Sequence, residues 1–310
     1  MARGGNRFFK LRRGVFLVRR SVPRIARPVS RLVEVDPPDR PIFLIGCPRS
    51  GTSALLQAFL RSPELATVQL EGHILWDEFH PKKRRDSDAL EATDVSDRER
   101  RYVNLAVRLF ARNPRFVDKT PENTLRIGYL DALFPDATFV FLRRRAADNV
   151  NSLIEGWRAR PRFVTHRLPT PLEGIAPLDG RLWSFALLPE WRSLTRASLE
   201  EICARQYVAC NEAVLEAQAA MEPARWRDLS YEDFVAAPVD ELRQLFASLD
   251  LQWSPAVERY AAELDRRPSA TAVTPPRRDK WRDQNLEAIE RILPLVRETE
   301  ARLGYSSAST

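Results

Sequence analysis

A short apolar run that ends in a turn bounded by glycines is the most constraining feature of this chain. The segment reads Pro41-Ile-Phe-Leu-Ile-Gly46-Cys-Pro-Arg49-Ser50-Gly51-Thr52-Ser53. Its glycines have the spacing of the G-x-x-x-x-G-K-[ST] loop, which wraps nucleoside triphosphates, but Thr52 stands where that loop requires lysine. This difference argues against an ordinary nucleoside triphosphatase or kinase. Arg49 is the cation that remains, so the segment predicts a loop in which a guanidinium and backbone N–H groups hold an oxyanion.

A second basic motif follows a later apolar strand. It reads Ala137-Thr-Phe-Val-Phe-Leu142-Arg143-Arg144-Arg145-Ala-Ala-Asp-Asn149-Val-Asn-Ser152. The strand runs into arginines and a helix follows. An arginine at the carboxyl edge of a strand and a hydroxyl in the first turns of the next helix can converge on one phosphate. The motif offers Arg143, Arg144, Arg145 and Ser152 for such a contact.

The two motifs together resemble those of sulfotransferases that use 3′-phosphoadenosine 5′-phosphosulfate (PAPS). In that family the loop holds the 5′-phosphosulfate without a bound metal, and a strand-end arginine and a serine hold the 3′-phosphate. The family often places Asp-Pro after its arginine, whereas Arg145 and Ala146 follow here. It is therefore open whether Arg143 or Arg145 shares the contact. The resemblance implies PAPS as co-substrate, no metal, and donor-binding roles for Pro48, Arg49, Ser50, Gly51, Thr52, Ser53, Arg144 and Ser152.

Three further segments are similar to the same family, in the family's order, so the resemblance spans residues 41 to about 303. Lys119, in Asp118-Lys119-Thr120-Pro121, matches a Lys-Thr-Pro element and is expected to reach the transferring sulfonate. Tyr231, in Tyr231-Glu232-Asp233-Phe234, is expected near the adenine. Lys280, in Arg277-Arg278-Asp-Lys280-Trp281, belongs to a basic loop that is expected to close over the nucleotide.

Sulfuryl transfer needs a held leaving group, positive charge at the sulfonate oxygens, and a base for the acceptor hydroxyl. The resemblance implies Arg49 and Lys119 as catalytic cations. We expect Glu71 to be the base, because some branches of the family carry a glutamate about this far beyond the loop arginine. Other branches use histidine, so His73 and His80 are alternatives, and Glu71 would then be a surface or ion-paired carboxylate.

Hydrophobic periodicity predicts an alternation of strands and helices. Residues 158–197 interrupt it, and their aromatic residues Trp183, Phe185 and Trp191 suggest a lid or acceptor wall. The fold class expected is α/β, with a central parallel sheet flanked by helices in the P-loop-like sulfotransferase fold. Strands are predicted at 41–46, 115–118 and 138–142, and helices at 51–61, 98–112, 122–133, 147–157, 199–221 and 285–303.

The formal net charge of +7 comes from one end of the chain. Residues 1–33 hold ten Lys or Arg and no acid, which leaves 39 basic against 42 acidic residues beyond. We predict a basic extension over residues 1–36 and a sulfotransferase domain over 37–305. The extension has no apolar run of signal-peptide length, so a cytoplasmic location is expected. Its arginines and aromatics suit an anionic membrane surface, although a solvated extension or a mitochondrial presequence are alternatives. No nucleic-acid-binding signature is present, and no nucleic acid is expected.

The function predicted is transfer of a sulfonate from PAPS to a hydroxyl or amine of a small-molecule, carbohydrate, lipid or peptide acceptor. One alternative is an ATP-dependent P-loop phosphotransferase with Mg²⁺. Another is a nucleotide-binding module of the same fold without activity. Cys47, Cys203 and Cys210 form no metal-binding pattern and fit a reduced compartment. Cys47 lies near a helix start, where a lowered pKa is conceivable.

Overall fold

The computed structural model describes residues 22–68, 71–111, 115–264 and 279–305. Most of the predicted basic extension, residues 1–21, lies outside them. The strands are β1 (Ile42–Ile45), β2 (Leu65–Ala66), β3 (Arg115–Asp118), β4 (Thr138–Arg143), β5 (Val164–Arg167), β6 (Leu182–Ser184) and β7 (Trp226–Ser230). The α-helices are α1 (22–29 within the described residues), α2 (Thr52–Phe59), α3 (His73–Trp76), α4 (Asp97–Ala111), α5 (Ile127–Leu133), α6 (Ala146–Arg158), α7 (Leu199–Ala220), α8 (Tyr231–Ala236), α9 (Pro238–Ser248), α10 (Pro255–Ala262), α11 (Trp281–Gln284) and α12 (Leu286–Arg302).

Five of the described strands form one parallel sheet in the order β2-β3-β1-β4-β7. The central strand β1 pairs with β3 and β4, and the register sets Phe43 opposite both Asp118 and Phe139. All carboxyl ends therefore lie at one edge, where ligands of open α/β sheets bind. The predicted parallel sheet flanked by helices is confirmed.

Strand β1 is apolar throughout, and β3 and β4 are apolar between their end residues, as expected for strands of a sheet that is covered on both faces. Along β1, Phe43 and Ile45 enter one core, and Ile42 and Leu44 enter the other. Helices α2, α9 and α10 pack on the second core, whereas α4, α6, α7 and α12 pack on the first. Burying one of these aliphatic or aromatic side chains stabilises the fold by about 1.5–3 kcal/mol. The two cores therefore fix the position of β1 and of the turn that follows it.

The single helix predicted over 122–133 is wrong in one respect. A 3-10 helix over Pro121–Leu125 is followed by α5, and Arg126 between them has φ −148° and ψ 36°. Asn123 explains the break, because its side chain donates to Asp118 at 2.8 Å and accepts from Arg126 at 2.9 Å. Such side-chain bonds compete with helical backbone pairing.

Residues 158–197 are more ordered than predicted. Strands β5 and β6 form an antiparallel pair, and a 3-10 helix follows over Trp191–Leu194. Trp183 is 0% exposed and packs edge-on against Trp157, with ring centroids 5.2 Å apart, so the expectation that this ring lines an acceptor wall is wrong. Trp191 is 1% exposed, and its indole N–H donates to the Asp86 carbonyl at 3.1 Å.

The boundary expected at residue 36 is also revised. Val22 and Ala26, in α1, are fully buried in the core, and Arg27 forms an ion pair of 3.0 Å with Glu78. These contacts attach residues 22–36 to the domain. Residues 22–36 therefore pack with the domain that was expected to begin at residue 37.

Candidate active site

The turn after β1 has the backbone geometry of a loop that can approach a ligand closely. Arg49 has φ 73° and Gly51 has φ 113°, so both occupy the left-handed region that favours glycine. A Cβ on Gly51 would also lie 2.6 Å from the Tyr231 ring. Gly51 precedes α2, whose first N–H groups have no helical carbonyl to bond and point toward the turn.

Arg49 lies at the junction of the two predicted motifs. Its Nε donates to Ser152 Oγ at 3.3 Å, and its guanidinium carbon lies 4.8 Å from the centre of the Phe163 ring. Burial and the positive charges of Arg144 and Arg162 lower the pKa of Arg49 to about 10. Three guanidiniums thus generate a strongly positive region beside the loop.

The structure distinguishes among the three arginines that end β4. Arg144 donates from Nη1 to the carbonyl of Arg49 at 2.9 Å, and it stacks on the Tyr231 ring at 4.1 Å. Arg143 instead donates to the Leu303 carbonyl at 2.6 Å. Arg145 lies over the Tyr305 ring at 5.0 Å. Of these three arginines, Arg144 is therefore the one that contacts the loop. It bonds the backbone of Arg49, whose side chain bonds Ser152.

Several buried polar atoms around the loop have no hydrogen-bond partner among the described residues. They include Ser50 Oγ and Arg144 Nε. Both groups can donate a hydrogen bond to an oxyanion. A buried donor left unpaired costs about 1–3 kcal/mol. The residues present therefore fit a phosphate or phosphosulfate at this position.

Tyr231 lies in the same region, and Lys280 lies at the start of a helix that packs on α6. Tyr231 begins α8, directly after β7, and its ring packs on Gly51 and Arg144. Lys280 precedes α11, which packs on α6 through a 3.0 Å hydrogen bond from Asn151 to Gln284. Arg277 and Arg278, from the same predicted basic loop, lie outside the described residues.

Glu71 and Lys119 meet at the edge of β3. Lys119 Nζ donates to Glu71 Oε1 at 2.6 Å. Gly72 holds Glu71 in place, because its N–H donates to Thr120 Oγ1 at 2.8 Å. A Cβ on Gly72 would come within 2.5 Å of Asp118, so this close approach requires glycine. Two residues expected to be catalytic are therefore brought into direct contact.

A chain of charged side chains extends from Glu71 into the protein. His73 Nε2 lies 3.2 Å from Glu71 Oε2 and 3.9 Å from Glu122, and Lys82 donates to Glu122 at 2.9 Å. Burial alone would raise the pKa of Glu71, but the charge of Lys119 and the hydrogen bond from His73 outweigh it and lower that pKa to about 2. Burial lowers the pKa of His73, but the charge of Glu122 and the bond to Glu71 raise it above its ordinary value.

These shifts separate the two candidate bases. Glu71 is a carboxylate at neutral pH, whereas His73 retains its proton more strongly than a free histidine. His80 lies elsewhere: its Nε2 is 3.1 Å from Glu99, a buried carboxylate that also accepts from Tyr129 at 2.6 Å. The structure therefore brings Glu71, and not His80, next to Lys119.

Cys47 is not activated. Burial raises the pKa of its thiol, and proximity to Cys210 raises it further. The lowered pKa that its position suggested is therefore wrong, because the side chain points into the core rather than toward the helix start. All three cysteines are unpaired and buried.

Sequence reasoning missed several residues around these groups. Phe163 lies against Arg49, Tyr207 donates to the Arg144 carbonyl at 3.0 Å, and Glu122 joins His73 to Lys82. Asn149 lay within the second motif, and its Nδ2 donates to the Pro48 carbonyl at 2.9 Å. A hydrophilic residue on the buried face of a predicted helix was the available signal for Asn149. The others have no local pattern.

The sulfotransferase family profile matches residues 41–168 and 178–255 of this chain. These stretches cover more than half of it, so the chain belongs to the sulfotransferase family. An uncharacterized protein of Aquifex aeolicus (strain VF5) is 23% identical over 249 residues, covering 76% of this chain. This chain spans only 28% of that relative's length.

Solved sulfotransferases share the fold. The sulfotransferase domain from the curacin biosynthetic pathway has a TM-score of 0.51 at 14% identity, with 88% of this chain and 100% of that domain covered. A sulfotransferase from Alicyclobacillus acidocaldarius has a TM-score of 0.50 at 17% identity, with coverages of 85% and 94%. Sulfotransferase STF9 from Mycobacterium avium gives 0.51 at 14% identity, with 86% and 77% covered.

Within the described residues, no helix has both the length and the apolar composition that crossing a bilayer requires. The same residues contain no group of three or more His, Cys, Asp and Glu side chains arranged to hold a metal ion.

Proposed function

We propose that this sulfotransferase uses PAPS as donor, transfers its sulfonate to an acceptor hydroxyl, and releases adenosine 3′,5′-bisphosphate (PAP). The observation that carries the proposal is the meeting of Arg49, Arg144 and Ser152 at the carboxyl ends of β1 and β4. PAPS carries a 5′-phosphosulfate and a 3′-phosphate, so it needs two anion sites. The loop with Arg49 would supply the first, and Arg144 with Ser152 would supply the second.

The donor end is held by preorganised hydrogen-bond donors. Ser50, the N–H groups before α2 and Arg49 would hold the 5′-phosphosulfate, and Arg144 with Ser152 would hold the 3′-phosphate. Tyr231 would contact the adenosine, and Lys280 would cover the nucleotide from the side of α11. Pro48, Gly51, Thr52 and Ser53 shape the loop that makes the close approach.

The acceptor end supplies the proton transfer. Glu71 would take the proton of the acceptor hydroxyl as the new S–O bond forms and the bond to the donor phosphate breaks. Lys119 and Arg49 would stabilise the charge on the sulfonate oxygens and the leaving phosphate. Sharing the charge of Lys119 with the sulfonate would weaken its hold on Glu71, so the pKa of Glu71 would rise toward a value useful for a base.

Two other functions are less well supported. An ATP-dependent phosphotransferase would lack the lysine that a P-loop places after its second glycine, where this chain has Thr52. A module that binds the nucleotide without catalysis would not need the contact of 2.6 Å between Lys119 and Glu71 beside the loop. Retained PAP binding without sulfonate transfer to any acceptor would support that module.

The donor is tested by thermal unfolding. PAP and PAPS, at concentrations well above a dissociation constant of tens of micromolar, should raise the melting temperature, whereas Mg-ATP should have little effect. Adenosine 5′-phosphosulfate is the matched control for PAPS, because it differs from PAPS only in lacking the 3′-phosphate. Equal stabilisation by Mg-ATP and PAP would favour the phosphotransferase.

We also propose an anionic membrane surface as partner of residues 1–33. This segment carries ten cations, and in its described part Leu32 is 88% exposed and Ile25 is 47% exposed. Deleting residues 1–21 should abolish salt-sensitive binding to phosphatidylglycerol vesicles and leave PAP affinity unchanged. Deleting up to residue 33 would also remove Val22 and Ala26 from the core. Loss of PAP binding in the shorter deletion would instead assign the segment to the domain.

A further inference from the structure

A cleft of about 680 Å³ lies between residues 82–86 and residues 165–169. One wall is the 3-10 helix Lys82–Arg84 with the residues that follow it, and the other is the end of β5. Leu168, Leu187 and Trp191 provide apolar surface between the walls. The volume lies within the range of small-molecule sites, which is about 300–1,000 Å³.

Positive charge dominates the rim of this cleft. Lys82 pairs with Glu122, and Arg85 pairs with Asp77 at 2.9 Å. Lys83, Arg84 and Arg167 are exposed, and none of the three forms an ion pair with a described residue. The cleft therefore carries a net positive charge that its own carboxylates do not neutralise.

Arg85 has donors to spare within this wall. Its side chain is 8% exposed, and its Nε and Nη1 have no hydrogen-bond partner among the described residues. Only Nη2 is engaged, by Asp77 and by Asp88 at 3.5 Å. Both atoms are inaccessible, so Arg85 contributes positive charge to this wall, and the exposed Lys83, Arg84 and Arg167 are the cations that an oxyanion in the cleft can contact. Charge-assisted bonds of this kind are about twice as strong as neutral ones.

Both walls lead to groups assigned to the reaction. Lys82 reaches Glu71 through Glu122 and His73, by the contacts of 2.9, 3.9 and 3.2 Å. On the other side, β5 directly follows Phe163, whose ring lies against Arg49. The cleft thus adjoins the network that contains Glu71, with Glu122 and His73 between them, and it adjoins the strand that follows Phe163.

We infer that this cleft receives the acceptor, and that the acceptor is a hydroxyl compound bearing an oxyanion such as a phosphate, carboxylate or sulfate. This inference rests on the proposed sulfotransferase function and specifies its second substrate. The apolar surface accommodates the carbon skeleton, the exposed rim cations bind the oxyanion, and the hydroxyl is directed toward the side of the cleft where Glu122 and His73 connect Lys82 to Glu71. A neutral acceptor would leave the three unpaired rim cations without a role.

The acceptor class is tested on a fractionated extract of cells that express the protein. The extract is divided by anion exchange at neutral pH, before any reaction, into retained and unretained pools. Each pool is then incubated with the full-length protein and PAPS carrying labelled sulfur. Label should enter the retained pool at least tenfold more than the unretained pool. Partition of the labelled product between water and chloroform–methanol then distinguishes a soluble acceptor from a lipid headgroup.

The outcomes separate this inference from the proposed function. Label that enters mainly the unretained pool would confirm sulfonate transfer and overturn the anionic acceptor. No label in either pool, together with no stabilisation by PAP, would overturn the proposed function and this inference with it. No label despite PAP binding would favour the non-catalytic module and likewise overturn the inference.

A variant that lacks the rim cations tests whether the acceptor from the retained pool binds in the cleft. The triple substitution Lys83→Ala, Arg84→Ala and Arg167→Ala affects exposed side chains and should fold normally. It should raise the KM for the retained acceptor at least tenfold, change kcat little, and leave PAP affinity unchanged. The matched control removes three exposed arginines on α4, α10 and α12, namely Arg108→Ala, Arg259→Ala and Arg297→Ala. An equal effect of both triples, or no effect of the first, would place the acceptor elsewhere.

Discussion

The donor end and the acceptor end of the candidate site are built in different ways. The donor end consists mainly of backbone: a turn with φ 73° at Arg49 and φ 113° at Gly51, the start of α2, and one arginine at the end of β4. The acceptor end consists of side chains that hold each other, from Lys119 through Glu71 and His73 to Glu122.

This difference has a consequence for substitution. A backbone-built anion site tolerates change in most side chains but depends on a few cations and on glycine. A side-chain network depends on every member, because removing one partner leaves a buried charge uncompensated. We therefore expect single substitutions at the donor end to affect one ligand group, and those at the acceptor end to affect neighbours as well.

The largest effect should follow Arg49→Ala. This change removes a charge-stabilising donor at the transferring sulfonate, so turnover should fall by about 100-fold or more, as when one oxyanion donor is lost. PAP affinity should fall much less, because Ser50 and the backbone donors remain. Steady-state kinetics and calorimetry with PAP measure the two. An equal loss of turnover and of PAP affinity would mean that Arg49 contributes to binding alone.

Glu71→Gln should have the next largest effect. It keeps the shape of the side chain but removes the base, so turnover should fall by about 100-fold with PAP affinity intact. His73→Asn is the control, because His73 contacts Glu71 and is the alternative base, but its raised pKa favours the protonated imidazole. Near-normal turnover in Glu71→Gln together with an inactive His73→Asn would transfer the role of base to the histidine.

Arg144→Ala tests the donor end alone. Hydrogen bonds to charged groups contribute about 1.5–3 kcal/mol, so PAP affinity should fall by about 10- to 100-fold. Adenosine 5′-phosphosulfate has no 3′-phosphate, and its affinity should change by less than about threefold. Arg143→Ala is the matched control, since Arg143 bonds the Leu303 carbonyl instead. Equal weakening of both ligands would move Arg144 away from the 3′-phosphate.

The smallest effect concerns the stability of the acceptor-end network at acid pH. Burial raises the pKa of Glu122, but the charges of His73 and Lys82 more than reverse this and lower it below its ordinary value. An unfolded chain therefore binds a proton at Glu122 that the folded protein rejects. The stabilisation is present above the unfolded pKa of about 4.3 and is lost as the pH falls below it.

Melting temperatures measured from pH 7 to pH 3.5 detect this contribution. Glu122→Gln should lower the melting temperature at pH 7, and its curve should be flatter than that of the unmodified protein between about pH 5 and 3.5. Asp131→Asn is a control outside the network, because Asp131 pairs with Arg225 instead. Parallel curves for the unmodified protein and Glu122→Gln would show that Glu122 carries no such stabilisation.

The two ends also differ in how well the sequence predicted them. Ser152 and Arg144 were paired through the family resemblance, and the structure brings both to Arg49. The alternative arginines, Arg143 and Arg145, differed from Arg144 only in the direction in which each side chain leaves the strand end. That direction depends on what packs there, and Tyr305 and Leu303 come from the end of the chain.

At the acceptor end, the sequence named Glu71 and Lys119 through family resemblance but did not show that they touch. Lys82 and Glu122 were not singled out at all. They are forty residues apart and meet only because the 3-10 helix after β3 faces the segment after α3. The buried Trp183 was assigned to the wrong environment, because the sequence around an aromatic residue without periodicity does not indicate whether its ring is buried or exposed.

The sequence by itself determined the parallel sheet, the glycine-bounded loop and the strand-end arginines, because these depend on local rules: apolar runs, a turn that needs positive φ, and residues that follow a strand. Only the tertiary structure decided which arginine lies against the loop, that Lys119 neutralises Glu71, and that a cationic cleft adjoins the network that contains Glu71. These facts depend on contacts between segments far apart in the chain, and such contacts are set by packing, which no short stretch of residues encodes.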